Sequence, residues 1–237
     1  MFLIRSLGID VLRQSNFIFQ IELLTGPEIS FEMEKENDNY VSVNRELWNI
    51  RTTIHVESPY YKVKEFLTNK SFHVLHQTEL DLLGNLHDKR ILHLQCHFGM
   101  DTLSLARLGA KHVTGVDLSN VAIDKARQLA EQAHLNEIVD FICCDIYDLE
   151  QHLSIEENNR FDIVFTSYGT TKWFPDLNKW AQLIQRYLKD NGQFVIVDFH
   201  PIFWTFDDRY ESLAAYSYFN QGPSKLKSIR QNKENSY

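Results

Sequence analysis

No stretch of this chain is apolar for long enough to span a membrane. The opening MFLIRSLGIDVLRQSNFIFQIELL comes nearest. Arg5, Asp10 and Arg13 interrupt it before a useful apolar run develops, which argues against a signal peptide. A basic excess is lacking as well. The 24 Lys and Arg face 32 Asp and Glu, a formal charge of −8, so the chain as a whole carries no electrostatic footprint for nucleic acid or an anionic membrane. That charge does not favour acidic substrates either. Cysteine is scarce: Cys96, Cys143 and Cys144 are an odd number with one adjacent pair, a poor disulfide framework. No Cys–His pair stands at zinc spacing. The expectation is a cytoplasmic protein with reduced thiols and no metal. Internal repeats and low-complexity tracts are missing too.

Glycine is short where a nucleotide-binding chain concentrates it. An apolar strand ends in HLQCHFG, residues 93 to 99, and Gly99 is its one glycine. The Gly-x-Gly-x-x-Gly of an NAD-linked oxidoreductase is absent, which ranks that reading low.

What is present points to one domain with extensions. The 237 residues are 43% apolar, enough for a sizeable core. Residues 1–32 read as an N-terminal extension, either a short extra helix or a stretch preceding a native start at Met33. Residues 33–88 read as a helical segment: Val43, Leu47, Ile50 and Ile54 fall at helical spacing, Ser58-Pro59 is a break, and Gly84 is a helix cap. Residues 89–201 alternate strands and helices. RILHLQC, HVTGVD, VDFICCD, FDIVFTS and QFVIVDF are near-continuous apolar runs, which implies a parallel sheet covered on both faces. Ser119 is a helix N-cap ahead of an apolar stripe of Ala122, Ala126, Leu129 and Ala133. Leu177, Trp180, Leu183, Ile184, Tyr187 and Leu188 line one face of a later helix that stops at Asn191-Gly192. Residues 202–237 read as an incomplete, partly disordered tail.

In such an α/β sheet, ligands bind at the carboxyl ends of the strands. Asp117 ends the second strand, 18 residues after Gly99, near the separation at which a dinucleotide fold places an acid on ribose hydroxyls. The plainer reading of Asp117 is a capping or solvated acid. Asp145, after the third strand, can accept from an adenine amine while Ile146 covers the ring; otherwise it is a turn acid. Ser167, Tyr168 and Gly169 end the fourth strand, and His200 ends the fifth.

The array ILHLQCHFG, GVDLS, CCDIYDL, FDIVFTSYGT and LKDNGQFVIVDFHP, over about residues 85 to 201, resembles the class I S-adenosylmethionine-dependent methyltransferases. The resemblance implies a Rossmann-like, doubly wound α/β fold with an N-terminal helical lid, and S-adenosyl-L-methionine as cofactor. It implies a cofactor site of His93, Gln95, Cys96, His97, Gly99, Asp117, Leu118, Asp145, Ile146 and Ser167. Asp117 would take ribose, Asp145 and Ile146 adenine, and the first loop the methionine part. Tyr168 and Trp173 stand where acceptor pockets begin; GTTKWFPDL is otherwise a loop held by a packed Trp. His200 and His97 are the candidate bases, should the acceptor need one, and His200 is otherwise the end of a strand. The lid aromatics Trp48, Tyr60 and Tyr61 read individually as ordinary packing. The acceptor is expected to be a small molecule rather than nucleic acid.

The chain departs from the family at the first loop, whose usual form is acid-apolar-Gly-x-Gly-x-Gly. His93, Gln95 and His97 occupy the acid and the first two glycine positions. Gln95 and His97 either bond to the methionine part or obstruct it. At the other end, the sheet's two usual final strands are short of sequence. This predicts an exposed fifth-strand edge and keeps open an inactive or truncated relative acting as a binding module.

Overall fold

The computed structural model describes residues 2–7, 40–156, 160–200 and 202. The expectations placed on 8–39 and on the tail beyond 202 lie outside these residues. Two compact units are found, 1–198 and 199–237.

The first unit holds a six-stranded sheet. Its strands are β1 (Phe2–Leu7), β2 (Arg90–Leu94), β3 (His112–Asp117), β4 (Val139–Cys143), β5 (Phe161–Ser167) and β6 (Leu188–Asp198). The order is β1-β6-β5-β2-β3-β4. Strands β2 to β6 are parallel, and β2 lies between β3 and β5, the switch point of the sheet. The expected doubly wound fold is therefore present.

The apolar runs are near-continuous because both faces are covered. Ile91, Val113, Ile163, Phe165 and Val195 pack on one side with Phe66, Leu83, Leu103, Leu105, Ile123 and Leu129. Leu92, Leu94, Val116, Val164 and Ile196 pack on the other with Trp180, Leu183, Ile184 and Tyr187. Each fully buried Leu, Ile or Phe contributes about 1.5 to 3 kcal/mol.

The helices are α1 (Tyr40–Glu57), α2 (Val63–Thr68), α3 (Gln77–Leu83), α4 (Met100–Arg107), α5 (Asn120–Gln132) and α6 (Leu177–Tyr187). Ser119 caps α5, its hydroxyl accepting from the Ala122 N–H at 3.0 Å. Asp176 caps α6 by accepting from the N–H groups of Asn178 and Lys179. Gly84 ends α3 at a positive φ of 64°, as its cap position requires. Among the described residues no helix is long and apolar enough to cross a membrane.

Five expectations are revised. Residues 2–7 form no helix; they are a strand, antiparallel to Gln193–Asp198. The edge of β6 expected to be bare is thus paired. Helix α6 stops at Tyr187, and Leu188 already pairs with Phe161 as the first residue of β6. Between Leu188 and Gln193 the chain bulges out of register, with Asn191 left-handed, so Asn191-Gly192 is a bulge inside a strand and not a helix stop. Leu177, assigned to the buried face, is 46% exposed. Finally, most of the apolar stripe of α1 faces outward: Val43, Ile50 and Ile54 are all more than half exposed, and of the four only Leu47 is partly buried. The inward face carries Thr52 and partly buried Trp48, Asn49 and His55, so periodicity located the helix but not its buried side.

Gly99 matters for packing. Its φ is +80°, and a β-carbon there would lie 2.8 Å from the Phe141 ring and 3.0 Å from Ala126 Cβ. The same ring lies 2.8 Å from the β-carbon position of Gly115. Phe141 therefore rests on two glycines, and what approaches closely at the helix start is β4 and α5. Gly99→Ala is expected to destabilise the fold by about 2 kcal/mol, from left-handed strain plus overpacking, read as a lower urea midpoint at unchanged slope.

Candidate functional site

The carboxyl ends of β2, β3, β4 and β5 lie side by side and carry the residues the sequence singled out. The loop after β2 has a distinctive backbone. Gln95 has φ of 54°, His97 of 52° and Gly99 of 80°. Every second residue is left-handed, the conformation for which glycine is the ordinary choice. Gln95 and His97 thus keep the backbone of a glycine loop while carrying side chains, at a cost of about 1 kcal/mol each. Gln95 Oε1 and His97 Nδ1 are buried with no hydrogen-bond partner in the protein. Strain retained together with unsatisfied polar atoms is the pattern of a functional loop.

The loop is tied to β3. The Cys96 N–H donates to Val116 O at 2.9 Å, and the His97 N–H donates to Asp117 Oδ2 at 2.8 Å. The other Asp117 oxygen accepts from the Ser119 N–H at 2.9 Å. Asp117 is 9% exposed, and burial lifts its carboxyl to about 6 against the opposing pull of these N–H groups. Leu118 follows it, and its carbonyl accepts from Arg45 Nε at 3.3 Å. Asp145, partly exposed, caps the short 3-10 turn Ile146–Gln151 through the Tyr147 N–H at 3.0 Å, and Ile146 beside it is buried. Both acids make local turn bonds, and each oxygen so used keeps a further lone pair.

Helix α1 roofs this row. Tyr40, at its start, has its hydroxyl pushed up by burial and then by Asp145 and Asp148. Asn49 Oδ1 accepts from the Ser119 hydroxyl at 2.6 Å, and Asn49 Nδ2 donates to Asn120 Oδ1 at 3.0 Å. Further along, Trp48 packs edge-on against His97, with centroids 5.3 Å apart, and against Trp173 at 5.6 Å. Arg51 lies over both indoles. His55 Nδ1 is 3.0 Å from His97 Nε2 and 3.0 Å from the Tyr61 hydroxyl. Burial drives His97 down to about 3 and also lowers His55, so both rings are neutral at physiological pH. Trp48 thus packs among rings, Tyr61 adds a hydrogen bond to His55, and Tyr60 is 77% exposed.

Beneath the loop, His93 is 1% exposed and driven to about 3 by burial. Its Nδ1 is 2.8 Å from Thr102 Oγ1 and its Nε2 3.4 Å from Ser167 Oγ. Cys96 is buried, its thiol pushed up first by burial and then by Asp117. At the end of β5, Tyr168 is left-handed (φ 44°) and its N–H donates to Val197 O at 2.7 Å. Trp173 closes the following 3-10 turn, and its indole Nε1 is buried without a partner. His200 belongs to the second unit, where its Nδ1 accepts from the Ile202 N–H at 3.1 Å.

Sequence reasoning missed five groups here. Asn49 and His55 lie on a helix face that the apolar pattern had assigned to solvent. Asp198, at the end of β6, accepts from the Thr171 N–H at 3.0 Å and the Thr171 hydroxyl at 2.7 Å, and so holds the β5–α6 loop. An acid at a strand end was the available signal for it. Asp101 and Glu79 are the others; only the fold reveals them.

The chain matches a family model described as a methyltransferase domain over residues 86–234. Similar proteins include a ubiquinone biosynthesis O-methyltransferase of Glaesserella parasuis, 33% identical over 127 residues, which are 52% of each chain. A sterol 4-C-methyltransferase of Caenorhabditis elegans is 25% identical over 180 residues, 71% of this chain and 50% of that one. Among solved structures, an S-adenosylmethionine-dependent methyltransferase fold from Listeria monocytogenes is 24% identical, covers 59% of this chain and 65% of that one, and has a TM-score of 0.47. The chain spans about half the length of the curated relatives it matches.

Proposed function

The chain belongs to the class I S-adenosylmethionine-dependent methyltransferases, and from that premise we propose that it transfers a methyl group from S-adenosylmethionine to a small-molecule acceptor. The observation that carries this reading is the first loop: a left-handed alternation at positions 95, 97 and 99, with a buried, unpartnered polar atom on each non-glycine residue. A chain that had abandoned the ligand would gain by returning these positions to glycine.

The residues present fit the cofactor. Asp117 would accept from the ribose hydroxyls with its remaining lone pairs, and Leu118 lines the same turn. Asp145 would accept from the adenine amine and Ile146 would cover the ring, near Tyr40. Gln95 and His97, with Cys96 and Gly99, would hold the methionine part. His93 and Ser167 act from beneath by fixing the loop. When bound, the cofactor supplies a methyl group on a positively charged sulfur. The protein's task is then to exclude water and align the acceptor, which is where much of the rate enhancement of such a displacement arises. Trp48, Trp173, Arg51 and Tyr168 form the acceptor wall in this reading. The neutral His97–His55–Tyr61 chain is the available proton path if the acceptor is a hydroxyl. His97, whose N–H bonds Asp117, is the base in this reading.

The relatives' named substrates, a ubiquinone precursor and a sterol, support an apolar small-molecule acceptor. The test is calorimetric titration with S-adenosylhomocysteine. A one-to-one complex is expected, together with a rise in melting temperature that grows with ligand concentration. No binding at millimolar ligand would refute the reading.

A further inference from the structure

Two tryptophans at the ligand edge stand outside both hydrophobic clusters of the sheet. Trp48 of α1 and Trp173 after β5 meet edge-on, with ring centroids 5.6 Å apart, and neither packs into the apolar core on either face. Cations lie over them instead. Arg51 is 5.1 Å from the Trp48 centroid and 5.7 Å from that of Trp173, and Lys172 Nζ is 4.8 Å from the Trp173 centroid. Large rings that pack on no core at a ligand edge form a contact surface for something else.

Trp173 carries a second mark. Its indole Nε1 is buried and closes no hydrogen bond. A buried indole N–H ordinarily finds an acceptor, and leaving it without one is costly. Trp180 Nε1 is also unpartnered, but Trp180 is core: it is 8% exposed and lies against Phe174 and Phe194. Its apolar packing offsets the missing bond, and Trp173 has no such packing. The place of Trp173 is also fixed. Its backbone N–H donates to Thr170 O at 3.2 Å, and Gln95 Nε2 reaches the same carbonyl at 3.4 Å. Asp198 anchors the turn through the N–H and hydroxyl of Thr171. On the lid side, Trp48 meets the His97 ring at 5.3 Å. A circuit of contacts, Gln95–Thr170–Trp173–Trp48–His97, thus closes around the indole. Gln95 Oε1 stands in that circuit and is unpartnered too, so it does not take the indole proton. An aromatic wall with one pre-set donor fits an apolar molecule bearing an accepting oxygen.

We propose that Trp173 is a specificity-determining residue: its indole N–H donates to an oxygen of the methyl acceptor, which is an apolar molecule carrying a carbonyl or ether oxygen. The inference deepens the reading of the acceptor wall above and rests on it. Trp48 rides on α1, outside the sheet, so an outward shift of α1 opens the indole N–H to the ligand. A hydrocarbon of the same shape leaves that N–H unpaired, and a site built to bond an oxygen rejects the analogue that lacks it.

The experiment uses acetophenone and α-methylstyrene, which share a shape and differ by a carbonyl oxygen in place of a methylene. Both are titrated into the S-adenosylhomocysteine-saturated protein. The indole N–H signals are followed by nitrogen-edited proton NMR and assigned through their contacts with neighbouring residues. In wild type, acetophenone binds about tenfold tighter than α-methylstyrene and moves the Trp173 N–H signal downfield, while α-methylstyrene does not. In Trp173→Phe the two bind about equally, and the amide spectrum reports whether that variant folds. Equal binding of the two probes to wild type, a Trp173 signal that stays still, or a preference that persists in Trp173→Phe overturns the proposal. Binding of neither probe at millimolar concentration overturns it as well. A wild type that does not bind S-adenosylhomocysteine overturns the cofactor reading instead. The two probes are then titrated into the free protein, and the same signal decides.

Discussion

Asp117→Asn weakens S-adenosylhomocysteine binding by about a hundredfold or more, the largest effect expected in this protein. The carboxylate is asked to accept from two ribose hydroxyls while holding the N–H groups of His97 and Ser119. Each hydrogen bond to a charged acceptor is worth about 1.5 to 3 kcal/mol, so losing the charge removes at least one tenfold step per hydroxyl. The amide also presents an NH2 to one of the two backbone N–H groups, which disturbs the loop itself. Measuring unfolding without ligand separates that structural cost from the binding loss.

A pH profile isolates the same residue. Burial raises the Asp117 carboxyl from 3.8 to about 6, so the folded state holds this proton more tightly than the unfolded chain does. Its contribution to stability is full below the unfolded value and is lost as pH rises through about 6, an order of 3 kcal/mol across the window. Ligand binding has the opposite sign. Ribose hydroxyls donate to the ionised form, so affinity should fall about tenfold per pH unit below about 6 and level off above it. Asp117→Asn should flatten that profile. A wild-type affinity independent of pH between 5 and 8 would sink the ribose assignment.

The second large effect is expected from Gln95→Gly combined with His97→Gly. Glycine relieves left-handed strain at both positions, a gain of about 1 kcal/mol each offset in part by the greater freedom of glycine in the unfolded chain. The His97 ring, however, is packed by Trp48, Tyr61 and Phe98 and bonded to His55, and its loss opens a gap under α1. Stability should therefore change little for Gln95→Gly and fall for His97→Gly. Binding of S-adenosylhomocysteine should fall about a hundredfold in the double variant, because both unpartnered polar atoms leave together. Faster amide exchange over Tyr40–Glu57 should accompany the loss of His97. Restoring the family's usual glycines thus weakens the site in this chain. Unchanged binding would show the two side chains to be passengers, and tighter binding would show them to be obstacles.

Much of the fold was legible because its causes are local. Strands appear as apolar runs since both faces of a parallel sheet are covered, and the residue after each run falls at the ligand edge. Ser119 and Gly84 announce helix ends through bonds and torsions within a few residues of themselves. Hence the row of 95–99, Asp117, Asp145 and Ser167 could be marked without coordinates. The inward side of α1 could not. Most of its apolar stripe is exposed, and its inward face carries Asn49 and Thr52 beside Trp48 and Val56, because part of that face meets strand-end hydroxyls and amides. Periodicity reports where apolar residues repeat, and such a face breaks the rule that the repeat points inward.

By itself the sequence determined the order of β2 to β6 and of the helices between them, the caps at Ser119 and Gly84, and which residues stand at the ends of the central strands, since each follows from the torsional and hydrophobic preferences of neighbours in the chain. Tertiary structure decided the rest. It set the sign of φ at Gln95 and His97, because β3 holds that loop through Asp117, twenty residues away. It closed the edge of β6 with residues 2–7. It joined Asp101 to Ser167 across 66 residues. These features depend on which distant groups end up sharing a dry space, and that is settled only once the space has formed.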